Sequence, residues 1–308
     1  MQLVVVLVVV TFFTALLTEL LPGDPVTTIA PFATDEQRDD IRSQLRLDQN
    51  VVSRYVDWLG DFVTGDFGEY FNAPGLQGHD VFKDVKKNLP TSMTLMLYVQ
   101  VLTLLIAVPL GVTTAYRADS RYDRWANGLA FGLVAIPAFV LGTTLKYWFA
   151  VRYQVFDTRG WSPLSEGFSA HYKTAVLPVV ALAVGQIAAY SRLLRSDMVA
   201  TLQEDFILMA KAKGIPNRRI LWRHALRPSS LTLLTVAGLN IGALISGALI
   251  VETIFAIDGI GSLILVAIQT RQYIALQSFV AIVVIIYVLV NFLVDMLYTV
   301  LDPRIRNV

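Results

Sequence analysis

Few residues in this sequence could do chemistry, and they are scattered. The 308-residue chain has no cysteine, which excludes disulfides, Cys-ligated zinc, iron–sulfur clusters and thiol catalysis. Its three histidines, His79, His171 and His224, fall in three separate loops. No HExxH, GxSxG or GxxxxGK[ST] occurs, so metalloprotease, serine-hydrolase and P-loop chemistry lack their residues. Each histidine reads as a surface or packing residue. The chain is expected to be no enzyme and to hold no cofactor or metal of its own. Ionisable residues inside apolar runs are the next candidates, because charge in lipid is costly. There are four: Glu19, Lys146, Glu252 and Asp295. Glu19 reads as reaching headgroups or water, and Lys146, beside Tyr147 and Trp148, as snorkelling in an aromatic belt. Glu252 could cap, pair or line a vestibule, and Asp295 could pair with a cation on a neighbouring span. Four isolated charges make no ion relay.

The runs that carry these charges define the architecture. The chain is 55% hydrophobic and 16% charged, with a mean hydropathy of +0.57; soluble domains carry about 25% charged residues. A net charge of +1 gives no reason to expect nucleic-acid binding. Six segments approach the roughly 20 apolar residues of a membrane span: 1–21, 93–115, 127–150, 174–191, 229–255 and 277–301. Open strands cannot span a bilayer, so the expectation is an all-α integral membrane protein with six transmembrane helices. Segment 1–21 has no basic n-region and no small-residue cleavage site, and reads as a retained span rather than a signal peptide. The lack of Lys or Arg ahead of it is what a start codon assigned too far downstream would give.

Lys and Arg in the short loops set the orientation. Arg117, Arg121 and Arg124 lie between spans 2 and 3, eight basic residues lie in 192–228, and Arg304 and Arg306 lie in the tail 302–308. These segments are assigned to the cytoplasm, with both termini inside. The near-zero net charge is then a cancellation: 13 Lys/Arg against 6 Asp/Glu inside, and 11 against 15 in the outer loops. The long outer loop 22–92 should be helical. Ile41, Leu45 and Leu47 recur at helical spacing, and Val52, Tyr55, Val56, Leu59, Phe62 and Val63 form one stripe, predicting two short amphipathic helices on the outer ends of the spans.

Four residues are candidates for a translocation pathway: Pro137 in AIPAFVLG, Asn240 at mid-membrane, Gly242 of the Gly238/Gly242 GxxxG, and Glu252. Ordinary helix packing and an interhelical hydrogen bond are the alternatives, and both readings stay open.

The cytoplasmic loop 192–228 is the most informative segment. Met198, Leu202, Phe206, Met209 and Ala210 recur at helical spacing, predicting a helix over 198–213. Gly214 ends it, with Pro216 just beyond, and a short helix over 217–226 leads into span 5. An amphipathic helix, a glycine hinge and a return helix suit a knob that docks into a groove on a soluble partner.

This loop resembles the EAA loop of ABC-importer permeases. Ala210, Gly214 and Leu226 match its pattern; Leu208 stands at the Glu position, Met209 at the first Ala, His224 at the Ile and Arg227 at the Pro. The wording AKAKGIPNRRILWRHALRP (210–228) is similar to the variant found in the B-type subunits of the oligopeptide/dipeptide/nickel permease family. LLPGDP (20–25), LRLDQNVVSRYVDWLGDFVTGDFG (45–68), LPTSMTLML (89–97), IPAFVLG (136–142), VETIFAIDGIGSL (251–263) and LVDMLYTVLDPRIR (293–306) agree with that subunit in order and depth. Asp258 stands where the family usually has Pro.

The resemblance implies a type I ABC-importer fold and an ATP-driven importer of di- or oligopeptides, with nickel chelates, glutathione or haem as alternative cargo. It implies a homologous C-type permease as partner, ABC ATPase subunits that bind ATP and Mg, and an extracytoplasmic substrate-binding protein or lipoprotein, all at the inner membrane of a prokaryote. The coupling helix would comprise Asp205, Phe206, Met209, Ala210, Lys211, Ala212, Lys213, Gly214 and Ile215. The reading from another class is an ion-gradient-driven secondary transporter or channel.

Overall fold

The computed structural model describes residues 2–20, 23–70 and 79–301. Helix α1 (Gln2–Glu19) is followed by α2 (Pro25–Ile29), α3 (Asp35–Gln44) and α4 (Val51–Thr64). Local chemistry sets their ends. Asp24 accepts a hydrogen bond from the Val26 N–H at 3.0 Å, Thr34 and Gln37 form a capping box, and Asn50 accepts from the Ser53 N–H at 2.9 Å. A two-residue antiparallel ladder pairs β1 (Glu69–Tyr70) with β2 (His79–Asp80). Then come α5 (Val81–Tyr116), α6 (Arg121–Val134), α7 (Ala138–Leu145) continuing as a π-helical stretch Lys146–Arg152, and α8 (Phe168–Thr201). The short α9 (Asp205–Ala212) and α10 (Asn217–Arg219) lead through a π-helical Ile220–Ala225 into α11 (Leu226–Phe255); α12 (Ile260–Gln269) and α13 (Tyr273–Leu301) close the chain.

Every apolar run is helical, as expected, but the runs and the helices differ in extent. α5, α8 and α13 over Tyr273–Val294 are long and apolar enough to cross a membrane. α5 starts at Val81, and α8 runs from Phe168 to Thr201, because long charged side chains at helix ends can snorkel and need not end the helix. The run 127–150 is not one straight rod. α6 stops at Val134, and the chain turns 94° before α7. Pro137 has no N–H and disfavours helical backbone at Ile136, so it serves as the N-cap of α7 instead of a mid-span residue. The run containing 229–255 is bent by 58° across residues 242–247.

The chain forms two compact units. The first holds residues 1–92 and 258–289. In it α4 lies against α1 and α13 through Tyr55, Trp58 and Phe62. The Tyr55 hydroxyl donates to the Val8 carbonyl at 3.1 Å, and the Trp58 indole donates to Ser278 Oγ at 3.0 Å. Val52, Val56 and Val63, expected on the same stripe, are 54%, 59% and 76% exposed. The reason is angular. At 100° per residue the three aromatics share one narrow face, and the valines fall on the face beside it. Glu19 is exposed, and its carboxylate also pairs with the buried Arg54 guanidinium of α4.

The second unit holds residues 93–257 and the end of α13. α8 packs against α6, α7 and α11. α5 also closes on α8, since a Cβ at Gly111 would meet Leu194 Cβ and the Ser191 carbonyl at 3.0 Å. Lys146 does not snorkel. Its ammonium donates to the Ile254 carbonyl and lies 5.7 Å from the Phe255 ring centroid. Cation at helix C-terminus is a favourable placement. The Gly160 N–H takes the next carbonyl, Phe255, at 2.8 Å. His171 is a packing residue: Nδ1 lies 2.7 Å from the Ser162 carbonyl and Nε2 3.1 Å from the Tyr98 hydroxyl.

One ion pair fixes α6 to α8. Asp123 is 2% exposed, and Arg195 meets it with Nε and Nη2 on its two oxygens, each at 2.5 Å. The Asp119 N–H and the Asn127 side-chain amide also donate to Asp123, at 2.9 and 2.7 Å. Removing one partner of a buried pair leaves the other charge uncompensated, at about 3 kcal/mol or more. Asp123→Ala should therefore lower the thermal midpoint of the detergent-solubilised protein markedly. The exchange Asp123→Arg with Arg195→Asp should recover part of it; equal loss in the single and double variants would show that the pair itself does not matter.

Candidate functional site

The structure divides the expected helix over 198–213. α8 ends at Thr201, the chain turns through 202–204, and α9 restarts at Asp205 with Glu204 as N-cap. Ile207 and Ala210 of α9 are buried among Met198, Ile220 and Leu233. Phe206, Leu208 and Met209 point the other way and are 42%, 53% and 60% exposed. Of the residues named from the sequence, Asp205, Phe206, Met209, Lys211, Ala212, Lys213 and Gly214 lie on the surface. Ala210 faces inward, and Ile215 is half-buried against the same core. A charge at Ala210 would thus disturb packing before it disturbed any docking face. Leu208 was missed, since it read only as a departure from a Glu, although three apolar side chains within four residues of a charged loop were a usable signal.

The turn after α9 has a physical specification. Gly214 adopts φ +73°, a conformation open to glycine and costly to side chains with a Cβ. It allows the Gly214 N–H to donate to the Lys211 carbonyl at 2.9 Å and the Ile215 N–H to the Ala210 carbonyl at 3.2 Å. That is a Schellman closure with its hydrophobic contact, Ile215 over the Ala210 core. Beyond it, Arg218, Arg219 and Trp222 line an open depression with Pro216. The result is a small apolar knob bordered by Lys211, Lys213, Arg218 and Arg219, all exposed. A groove with an apolar floor and acidic rim would complement it.

A second constellation lies within the helices of the same unit. Gln100 and Thr103 on α5 and Gln186 and Tyr190 on α8 present buried side-chain oxygens with no hydrogen-bond partner. The Tyr190 hydroxyl lies among the side chains of Gln100 and Asn240, the latter on α11. Thr103 and Tyr190 have no exposed surface. Unpaired polar atoms among membrane helices are costly, and this seam gathers five neutral polar residues. Asn240 therefore belongs to a cluster and is not an isolated polar residue. The other pathway candidates separate. Pro137 is exposed at the α6–α7 turn, Gly242 is half-buried, and Glu252 is fully buried. Gly238 is a packing residue: a Cβ there would meet Val294 of α13 at 2.8 Å. The Asp295 side chain and Arg304 and Arg306 lie outside the described residues.

A helical bundle that holds out a short capped helix between two long apolar helices agrees with the family comparison. Residues 107–307 match the model of the binding-protein-dependent transport system inner membrane component. The chain belongs to that family. This permease is 34% identical over 305 residues to a probable peptide ABC transporter permease of Sinorhizobium fredii, covering 98% of this chain and 96% of the relative. It is 33% identical to the oligopeptide transport system permease protein OppB of Salmonella typhimurium, over 98% of this chain and 94% of the relative. It is 32% identical to the dipeptide transport system permease protein DppB of Bacillus subtilis, over 97% and 94%. The MetNI methionine ABC transporter, solved in inward-facing conformations, shares the fold at a TM-score of 0.55 and 13% identity, covering 73% of this chain and all of that one.

Two outcomes test these constellations in the permease. Gly214→Val forces a β-branched residue into the left-handed region, at about 1–2 kcal/mol, and should raise hydrogen exchange at the Gly214 and Ile215 amides; unchanged protection would remove the Schellman closure. Tyr190→Phe deletes a hydroxyl that lies beside Gln100 and Asn240 without a well-formed hydrogen bond to either, and should leave the thermal midpoint unchanged or higher; a clear drop would mean that the hydroxyl is bonded.

Proposed function

We propose that this chain forms half of the translocation pathway of an ATP-driven importer of di- or oligopeptides, in a heterodimer with a homologous C-type permease. ABC ATPase subunits, which bind ATP and Mg, meet it at α9, and an extracytoplasmic binding protein or lipoprotein delivers the cargo. Six spans cross the inner membrane of a prokaryote: α1, α5, the α6–α7 pair, α8, α11 and α13. Both termini and α9 lie in the cytoplasm, and residues 22–92 lie outside. The supporting observation is α9 itself: eight residues anchored by Ile207 and Ala210, with Phe206, Leu208 and Met209 bare in a basic surround. A cluster of three exposed large apolar side chains rimmed by charge is the kind of patch that marks an interaction site. The cargo class rests on relatives named as peptide permeases that match nearly the whole chain.

The mechanism follows from connectivity. α9 is joined to α8 by three residues and to α10 and α11 through the Gly214 turn. Closure of an ATPase pair around ATP would displace α9 and, through its buried face, the cytoplasmic ends of both long helices, opening the pathway to the other side. The seam of Gln100, Thr103, Gln186, Tyr190 and Asn240 offers hydrogen-bond partners that can be exchanged as the helices shift.

Met209→Asp, on an exposed residue outside the buried core of the loop, should leave the thermal midpoint of the purified complex intact. In proteoliposomes with ATP and charged binding protein it should abolish uptake of labelled dipeptide and uncouple ATP hydrolysis from cargo. Wild-type uptake by the variant would remove α9 from the coupling path. Uptake driven by an ion gradient with no ATPase present would overturn the importer reading. Binding-protein calorimetry that finds glutathione, a nickel chelate or haem in place of peptides would move the cargo class.

A further inference from the structure

The loop 22–92 contains a helix that sits too deep to be a cap on the spans. The aromatic face of α4 touches α1 far from its end. Tyr55 donates to Val8 and lies 3.0 Å from the Thr11 hydroxyl. Val8 precedes Glu19 by eleven residues, a drop of about 16 Å at the usual helical rise. The same cluster takes in Leu7 of α1 and Ala281 and Ile285 of α13. Ala281 lies eight residues into α13, about 12 Å. Half the hydrocarbon thickness of a bilayer is about 15 Å. Even allowing for the reach of the tyrosine and tryptophan side chains, the axis of α4 lies below the level of Glu19.

The remaining faces of α4 fit that depth. Its charges are paired within this unit: Arg54 with Glu19, and Asp61 and Asp57 with the single Arg46 at 2.9 and 3.9 Å. The face beside the aromatic one carries Val52, Val56, Gly60 and Val63, all exposed, with Leu59 half-exposed beside them. It is apolar from end to end, and continuous in character with the exposed Val9, Phe13 and Leu17 of α1.

We propose that α4 is embedded in the outer leaflet of the bilayer, with Val52, Val56, Leu59 and Val63 against phospholipid acyl chains and its paired charges at headgroup level. The word "outer" rests on the orientation proposed above. Interfacial helices bury their apolar face about 5–10 Å into the boundary. α4 differs in being held from both sides, by aromatic packing to two helices on one face and by lipid on the other. The first loop is then a clamp that fixes α1 to α13 within the membrane.

The chain has no cysteine, so single reporters can be placed directly. Nitroxide would be attached to Val52→Cys, Val56→Cys and Val63→Cys, with Asp39→Cys on exposed α3 as the water reference, in the full complex in phosphatidylethanolamine/phosphatidylglycerol liposomes. At the three valine sites, collision with molecular oxygen should rise several-fold relative to collision with a water-soluble nickel chelate, compared with Asp39. A nickel response at Val56 and Val63 equal to that at Asp39 would overturn the proposal, since the face would be in water. Exclusion of both reagents would overturn it too, since a protein partner would cover the face. Sidedness is read separately: a membrane-impermeant maleimide should label Asp39→Cys from outside. Labelling from the opposite side would overturn the orientation and the leaflet, whereas the oxygen-to-nickel ratio still reads the lipid contact.

Discussion

The clamp between Asp123 and Arg195 organises the larger unit. A carboxylate this buried is tolerable only if every lone pair is engaged. Arg195, the Asp119 amide and Asn127 engage it, with Ser120 capping the same turn. The consequence is geometric. The chain leaves α6 through a right-angle turn at Pro137, so α6 is held by what its own residues meet on α8. The ion pair ties its first turn to α8, two turns before α8 ends. α8 in turn is the helix on which α6, α7 and α11 all rest.

The other breaks in the apolar helices obey the same rule, that no backbone polar group may go unserved in lipid. The end of α11 shows how it is met. The Glu252 carbonyl receives the Ile257 N–H at 2.8 Å, Ile254 receives the Lys146 ammonium, and Phe255 receives the Gly160 N–H. Lys146 thus acts as a side-chain cap for a helix more than a hundred residues distant in sequence, and α7 is held to α11 by it. The seam around Tyr190 differs: Gln100, Thr103, Gln186 and Tyr190 carry buried oxygens left open, and such atoms can take other partners if the helices shift.

The sequence made some of this legible and hid the rest for identifiable reasons. The apolar runs became helices because hydropathy over about 20 residues is a bulk property, insensitive to neighbours. Gly214 was legible as a terminator because only one residue type suits its backbone. Side-chain partners were not legible. Lys146 looked like a residue reaching for water and is bound by protein instead, and Glu19, though exposed, also has a protein partner; nothing local reveals that Ile254 or Arg54 arrives beside them. The stripe on α4 failed for a subtler reason: eight large apolar residues in one helix define two adjacent faces, and which one a neighbour takes depends on the neighbour. Gln100 and Gln186 were passed over as single polar residues in long spans. Only their convergence from two helices makes them a site.

The two joints of α9 have a further consequence. One is a three-residue turn out of α8, and the other is a glycine turn closed by two hydrogen bonds. Neither contains spare chain, and between them Ile207 and Ala210 are seated in a core shared with Met198 and Ile220. A push on Met209 therefore has no slack to take up before it is felt at both helices. α9 is thus built as a rigid joint between α8 and α11 rather than as a loose tether.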